Sequence, residues 1–162
     1  MNQISQLIQQ SQQFLAPDEK ELLSDLQIIL AKFETSTQLH DYSFMVALLA
    51  KAYEGYLKHF FLKISLIDQR TYTSNRFRVG KALNPSLRYK RFSIYQKMSG
   101  LNGNGEELAE ILWDAWKRGR NEIFHYFPNN LKKLNKQQAL DRIKQILKAI
   151  LKSHQFLQQN KY

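Results

Sequence analysis

The sequence contains no cysteine, which excludes a disulfide framework and a thiolate metal site. Its three prolines and six glycines among 162 residues are too few for a fibrous or low-complexity chain. Ordinary apolar content instead points to one globular unit with a core of its own. Long uncharged apolar runs are missing as well. The most apolar stretch, residues 44–67, carries Lys51, Glu54, Lys58 and Lys63, too many charges for a membrane span. The opening MNQISQLIQQ lacks both the basic and the apolar region of a signal peptide, so a cytoplasmic protein without membrane contact is expected. Acidic residues are also scarce, and unevenly so. None occurs in residues 69–105, which hold Arg70, Arg76, Arg78, Lys81, Arg88, Lys90, Arg91 and Lys97. From Lys132 onward Asp141 is the only acid, and the net charge is +10. Such asymmetry suits a polyanionic partner, most economically nucleic acid. A solvated basic surface is the plainer alternative.

What is present is helical periodicity. Residues 2–15 are Gln-rich, with Ile4, Leu7, Ile8, Phe14 and Leu15 apolar, and form either a docked helix or a loose arm. Pro17, Asp18, Glu19 and Glu21 make a good helix start, because proline fits the first turn and acids favour the positive end of the dipole. Leu22, Leu26, Ile29, Leu30 and Phe33 line one face of that helix to about Glu34. Thr35 to Thr37 then offers N-cap hydroxyls. Residues 38–66 read as the longest helix, apolar around most of its circumference and so central to a bundle. Glycine inside a helix costs about 1 kcal/mol relative to alanine, and a close crossing between this helix at Gly55 and a later one at Gly119 would explain both glycines. Leu87, Phe92, Ile94 and Tyr95 suggest a short helix carrying Arg88, Lys90 and Arg91. There Tyr89, Phe92 and Tyr95 interleave with the cations, a mixture that can grip phosphates and stack on bases or serve as core aromatics with snorkelling neighbours. Residues 137–159 form the last helix, with His154 on its apolar seam as a packing histidine. The fold expected is an all-α bundle of four to five main helices. Residues 1–36 supply an N-terminal arm and first helix, and residues 37–162 supply the rest of a single compact domain.

The stretch GEELAEILWDAWKRGRNEIFHYFP, Gly105 to Pro128, reads as one amphipathic helix. Leu108, Leu112, Ala115, Gly119, Ile123 and Tyr126 share a face, and Pro128 sets the far end by forcing Phe127 out of helical geometry. Near that end stands Arg120-Asn121-x-x-x-His125. An arginine a few residues before a histidine is a weak signal. Requiring Asn directly after the arginine and His four residues later lowers chance to about one in a hundred. On a straight helix Arg120 and His125 lie about 140° apart, whereas Arg118, Asn121, Glu122 and His125 form one stripe. Either the helix loosens before Pro128, or an arginine arrives from a second subunit. Which of Arg118 and Arg120 answers His125 stays open on sequence grounds. The plainer alternative for His125 is a helix-end histidine steadied by Glu122 one turn earlier.

With Arg120, Asn121 and His125 in RNEIFH, the sequence resembles the HEPN superfamily of all-helical nucleic-acid-associated domains. A narrower likeness is to the toxin domain of the RnlA/LsoA-type ribonucleases. In that domain an acidic residue on an earlier helix, three residues after a basic one, joins the Arg/His pair. Lys51-Ala-Tyr-Glu54 occupies that place, with Lys51 where an arginine is expected. The likeness covers roughly residues 38 to 158. It implies a metal-independent, cofactor-free endoribonuclease, active as a homodimer whose two motifs meet across a cleft and held silent by a protein antitoxin or regulator. The chemistry of the residues suits that activity. Imidazole can act as general base or acid near neutrality, which fits His125. The Arg120 guanidinium can hold the oxygens of a phosphorane. Asn121 can orient the histidine, and Glu54, with Lys51 beside it, can hold Arg120 or tune His125. Arg118, Lys117, Arg88, Lys90 and Arg91 are the expected RNA contacts. Two alternatives remain. One is a HEPN module that binds RNA or protein without cutting. The other is the HEPN partner of a minimal nucleotidyltransferase, whose modified tyrosine lies two residues after the histidine; here Phe127 holds that place and Tyr126 follows His125 directly.

Overall fold

The computed structural model describes residues 2–35, 39–101 and 103–160, and every regular element within them is helical. In chain order these are α1 (Asn2–Gln12), α2 (Pro17–Lys32), α3 (Phe44–Lys63), α4 (Gln69–Tyr72), α5 (Val79–Ala82), α6 (Ile94–Ser99), α7 (Gly105–Trp116), α8 (Glu122–Phe124) and α9 (Lys136–Gln159). The architecture is an all-α bundle whose main members are α1, α2, α3, α7 and α9. Helix α3 is the axis: α2 and α9 pack along it on two sides, α1 lies on α9, and α7 also rests on α9. Residues as far apart in sequence as Ile8, Leu23, Leu49, Met98, Leu112 and Ile146 share one hydrophobic core. The N-terminal segment is therefore a docked helix and not a loose arm, with Ile4 and Ile8 buried.

Helix α2 starts where its sequence says. Pro17 takes the first position, and the Glu19 carboxylate turns back to accept the Ala16 N–H at 2.9 Å. The central helix begins later than its apolar pattern suggests, at Phe44 and not near residue 38. The reason is Asp41, which accepts N–H bonds from Ser43 at 2.8 Å and Leu134 at 3.2 Å. It also takes the Asn130 side-chain amide at 3.2 Å, while the Tyr42 N–H donates to the Leu134 carbonyl at 2.8 Å. Burial pushes the Asp41 carboxyl up, but these hydrogen bonds outweigh it and hold the group below the usual carboxylate range. Residues 41–43 are thus committed to a loop clasp. Ser43 holds the N-cap position of α3; of the hydroxyls expected to cap it, Ser36 and Thr37 lie outside the described residues. At the other end Ser65, with φ of 58°, turns the chain left-handed and stops the helix.

Two buried tyrosines of α3 fix its neighbours. The Tyr53 hydroxyl donates to the Leu112 carbonyl of α7 at 3.1 Å, and the Tyr56 hydroxyl meets Ser153 Oγ of α9 at 2.6 Å. Burial raises both phenols above their ordinary range, Tyr56 to about 12 against the opposing Ser153 bond. The glycines do not mark a crossing of α3 with α7. A Cβ on Gly55 would lie 2.6 Å from Glu19 Oε1, and one on Gly119 would lie 2.5 Å from Ile146 Cδ1. Gly55 admits a carboxylate from α2, and Gly119 admits a core isoleucine from α9. Each glycine answers its own close approach.

Candidate active site

The motif helix is not continuous. After α7 the chain widens into a π-helical turn over Lys117–Asn121, makes one further turn as α8, and leaves helical geometry at His125, with φ of −107° and ψ of 125°. The wide turn sits where Gly119 meets Ile146, so the added residue lets the backbone close on α9 without a side chain in the way. Phe127, which must be extended ahead of proline, has φ of −103° and ψ of 148°, and the chain has left the helix two residues before it. Helix loosening, one of the two ways round the angular problem, is therefore real. The fixed separation of Arg120 and His125 that a straight helix would impose no longer applies.

Arg120 is the organised member. Its Nε lies 3.7 Å from Glu54 Oε2, and its guanidinium carbon lies 5.3 Å from the Trp116 ring centroid and 5.4 Å from that of Phe124. Trp116 is buried while Phe124 is exposed, so the cation is held between a fixed ring and a solvent-facing one. Glu54 divides itself between Arg120 and Lys58, whose Nζ lies 4.0 Å from the other carboxylate oxygen. The KAYEG helix thus faces the π turn, with Lys51 exposed one turn before Glu54. Arg118 goes elsewhere, to Asp114 at 3.2 Å. Lys117 and Asn121 are exposed.

His125 is exposed, and among the described residues no hydrogen bond, ion pair or ring contact ties its imidazole down. Glu122 does not steady it. Its carboxylate is taken by Lys132 at 3.6 Å and Arg142 at 3.7 Å. Those pairs, with the Asp41 clasp on Asn130 and Leu134, anchor the loop that follows His125. Asn129 and Asn130 turn that loop through left-handed φ of 59° and 50°, a conformation asparagine tolerates. Phe124 and Tyr126, on either side of the histidine in the chain, expose large apolar surface, Tyr126 to 80%, and so does Leu131 in the loop that follows. No family model, curated protein or solved structure matches this chain.

The basic segment is arranged differently from its sequence expectation. Arg88, Lys90 and Arg91 lie in turns between a 3-10 turn at Pro85–Leu87 and α6, and not on a helix, because Ser93 caps α6 by accepting the Gln96 N–H. Arg88 is spent on Glu106 at 3.5 Å and Gln96 at 3.0 Å. The aromatics divide: Tyr95 is buried, while Tyr89 and Phe92 face solvent. His154 packs, its ring 3.6 Å from that of Phe14.

Sequence reasoning passed over two features. Trp116 and Phe124 stand four residues either side of Arg120, a spacing that could have marked them as its walls. The second is Glu19, buried on α2, which meets His59 Nδ1 at 2.8 Å while His59 Nε2 meets the Tyr72 hydroxyl. Gly55, one turn before His59, was its only sequence signal.

Proposed function

We propose that the chain is a cytoplasmic, metal-independent endoribonuclease of the HEPN type. It acts as a homodimer and is restrained by a protein antitoxin or regulator. The observation that carries this reading is the approach of Arg120 to Glu54, two residues from distant stretches that the motif resemblance pairs on chemical grounds. In the reaction the 2′-hydroxyl oxygen bonds to phosphorus and the bond from phosphorus to the 5′-oxygen breaks. The products are a 2′,3′-cyclic phosphate and a 5′-hydroxyl. Glu54 engages Arg120 through Nε, which leaves the terminal nitrogens to bind the non-bridging oxygens as charge builds on them. His125, on extended backbone and unencumbered, moves the proton at the 2′-hydroxyl or the 5′-oxygen. Asn121 and Lys51 flank the pair as positioning groups, and Arg118, Lys117, Lys90 and Arg91 offer charge to the flanking phosphates.

One subunit presents these groups on an open surface. The exposed Phe124 and Tyr126 flanking His125, with Leu131 exposed in the following loop, favour burial against a second copy, which would bring two Arg/His sets together across a two-fold axis. The test is purified protein on total RNA with EDTA present, alongside His125→Ala and a size-exclusion mass. Cleavage by a dimer, lost in a variant of unchanged helicity, is the expected result. Protein and variant that both bind RNA without cutting would instead establish a non-catalytic binding module, the reading the basic segment alone favours.

A further inference from the structure

Beyond the motif, a groove of about 850 Å³ lies where the end of α3 meets α4 and α6. Leu66, Thr71, Phe77, Arg91, Phe92 and Lys97 line it. Its one carboxylate, Asp68, is turned to cap α4, accepting the Thr71 N–H at 2.7 Å. The wall therefore combines two cations with an aromatic ring that is 43% exposed. Lys97 is anchored by donating to the Leu66 carbonyl at 3.1 Å, which leaves two ammonium protons for a ligand.

The groove connects to Arg120 through contacts in series. Lys81 Nζ stands 5.0 Å from the Phe92 ring centroid. Its neighbour Gly80 lies so close to the Trp116 indole that no side chain would fit between them. Trp116 in turn is the buried ring against which Arg120 stacks. Trp116 is buried beneath this path, and the groups it leaves at the surface beside the groove are the exposed Lys81, Arg91 and Lys97 with the Phe92 ring among them. Charges on such a surface suit phosphates, and a partly exposed ring suits a base that is not already stacked in a duplex.

We propose that this groove seats a single-stranded RNA segment flanking the scissile phosphate, with Phe92 as the stacking platform and Arg91 and Lys97 as phosphate grips. The proposal rests on the reading of the chain as acting on RNA, but it does not require cleavage. It is tested by fluorescence anisotropy on the His125→Ala protein, with a labelled mixed-sequence RNA of about 12 nucleotides. The expected result is that the single strand binds at least about tenfold more tightly than the same RNA in a duplex. Phe92→Ala should weaken binding about tenfold, and Arg91→Gln should reduce the salt slope by about one. Both positions are exposed, and a circular dichroism melt confirms that each variant folds. Equal binding by parent, Phe92→Ala and Arg91→Gln overturns the proposal. So does equal affinity for the duplex, tighter binding of the matching deoxy strand, or displacement by an acidic peptide as effective as unlabelled RNA. If Phe92→Ala loses binding and the native protein never cleaves, the groove stands and the nuclease reading falls. If His125-dependent cleavage is found but neither groove variant changes binding, the reverse holds.

Discussion

Replacing Gly119 by alanine sets two effects of known size against each other. Alanine is favoured over glycine within a helix by about 1 kcal/mol. Yet its Cβ would stand 2.5 Å from Ile146 Cδ1 and 2.8 Å from Cγ1. Ile146 is fully buried on α9, so it must leave its rotamer or push the π turn outward, and overpacking of this kind costs about 1–3 kcal/mol. The clash wins, and Gly119→Ala should destabilise the fold by about 1 kcal/mol net. Ile146→Val removes the nearer carbon, and by itself costs about 0.5–1.5 kcal/mol. In the double variant the valine makes room for the new methyl, incompletely because the carbon at 2.8 Å remains. The double variant should therefore be more stable than the sum of the two single effects by about 1 kcal/mol. Urea unfolding followed by circular dichroism measures all three, provided the slopes agree. Additive effects, or a Gly119→Ala protein more stable than the parent, would refute the claim that this glycine is needed for the approach to α9.

Three further outcomes follow from the geometry. Glu54→Gln should change stability by no more than about 1 kcal/mol, since both partners of its pair with Arg120 are partly exposed. On the nuclease reading it should still slow RNA cleavage by about tenfold or more, a split that melting and product formation on one preparation would reveal. Glu19→Ala removes the acceptor shared by His59 and the Ala16 N–H and should lower stability by about 2–3 kcal/mol, whereas Glu19→Gln, which keeps an acceptor oxygen, should lose less; equal losses would argue against the hydrogen bonds. His154 is held below its ordinary value of 6.5, first by burial and then by the charge of Lys63. The unfolded chain therefore takes up this proton first as pH falls, so stability is full above about 6.5 and declines below it. His154→Phe, which retains a ring against Phe14, should flatten that part of the stability–pH curve, and an unchanged slope would assign the titration to another group.

Periodicity made much of the bundle legible. Pro17 with its acids, the three-four seam of α9 and the broad apolar circumference of α3 each state a local preference that the packing keeps. Other features had no local signature. Asp41 delays the start of α3 through partners some ninety residues away, and the apolar pattern continues regardless. Gly55 and Gly119 were visible as anomalies, but Glu19 and Ile146, which explain them, belong to other helices. Tyr89, Phe92 and Tyr95 look alike in sequence, and only their placement beside α6 separates a core ring from two exposed ones. At the candidate site the motif supplied residue identities, while an ideal helical period supplied the wrong geometry. The π turn, Trp116 and the extended backbone at His125 set the actual arrangement.

The nuclease reading has one bond breaking, from phosphorus to the 5′-oxygen, and His125 moving the proton. It is tested most directly by end-group analysis of a defined RNA incubated with the purified protein in EDTA, with His125→Ala run in parallel. The expected result is 2′,3′-cyclic phosphate and 5′-hydroxyl ends from the native protein and none above background from the variant. Identical products at identical rates from the two proteins would contradict it.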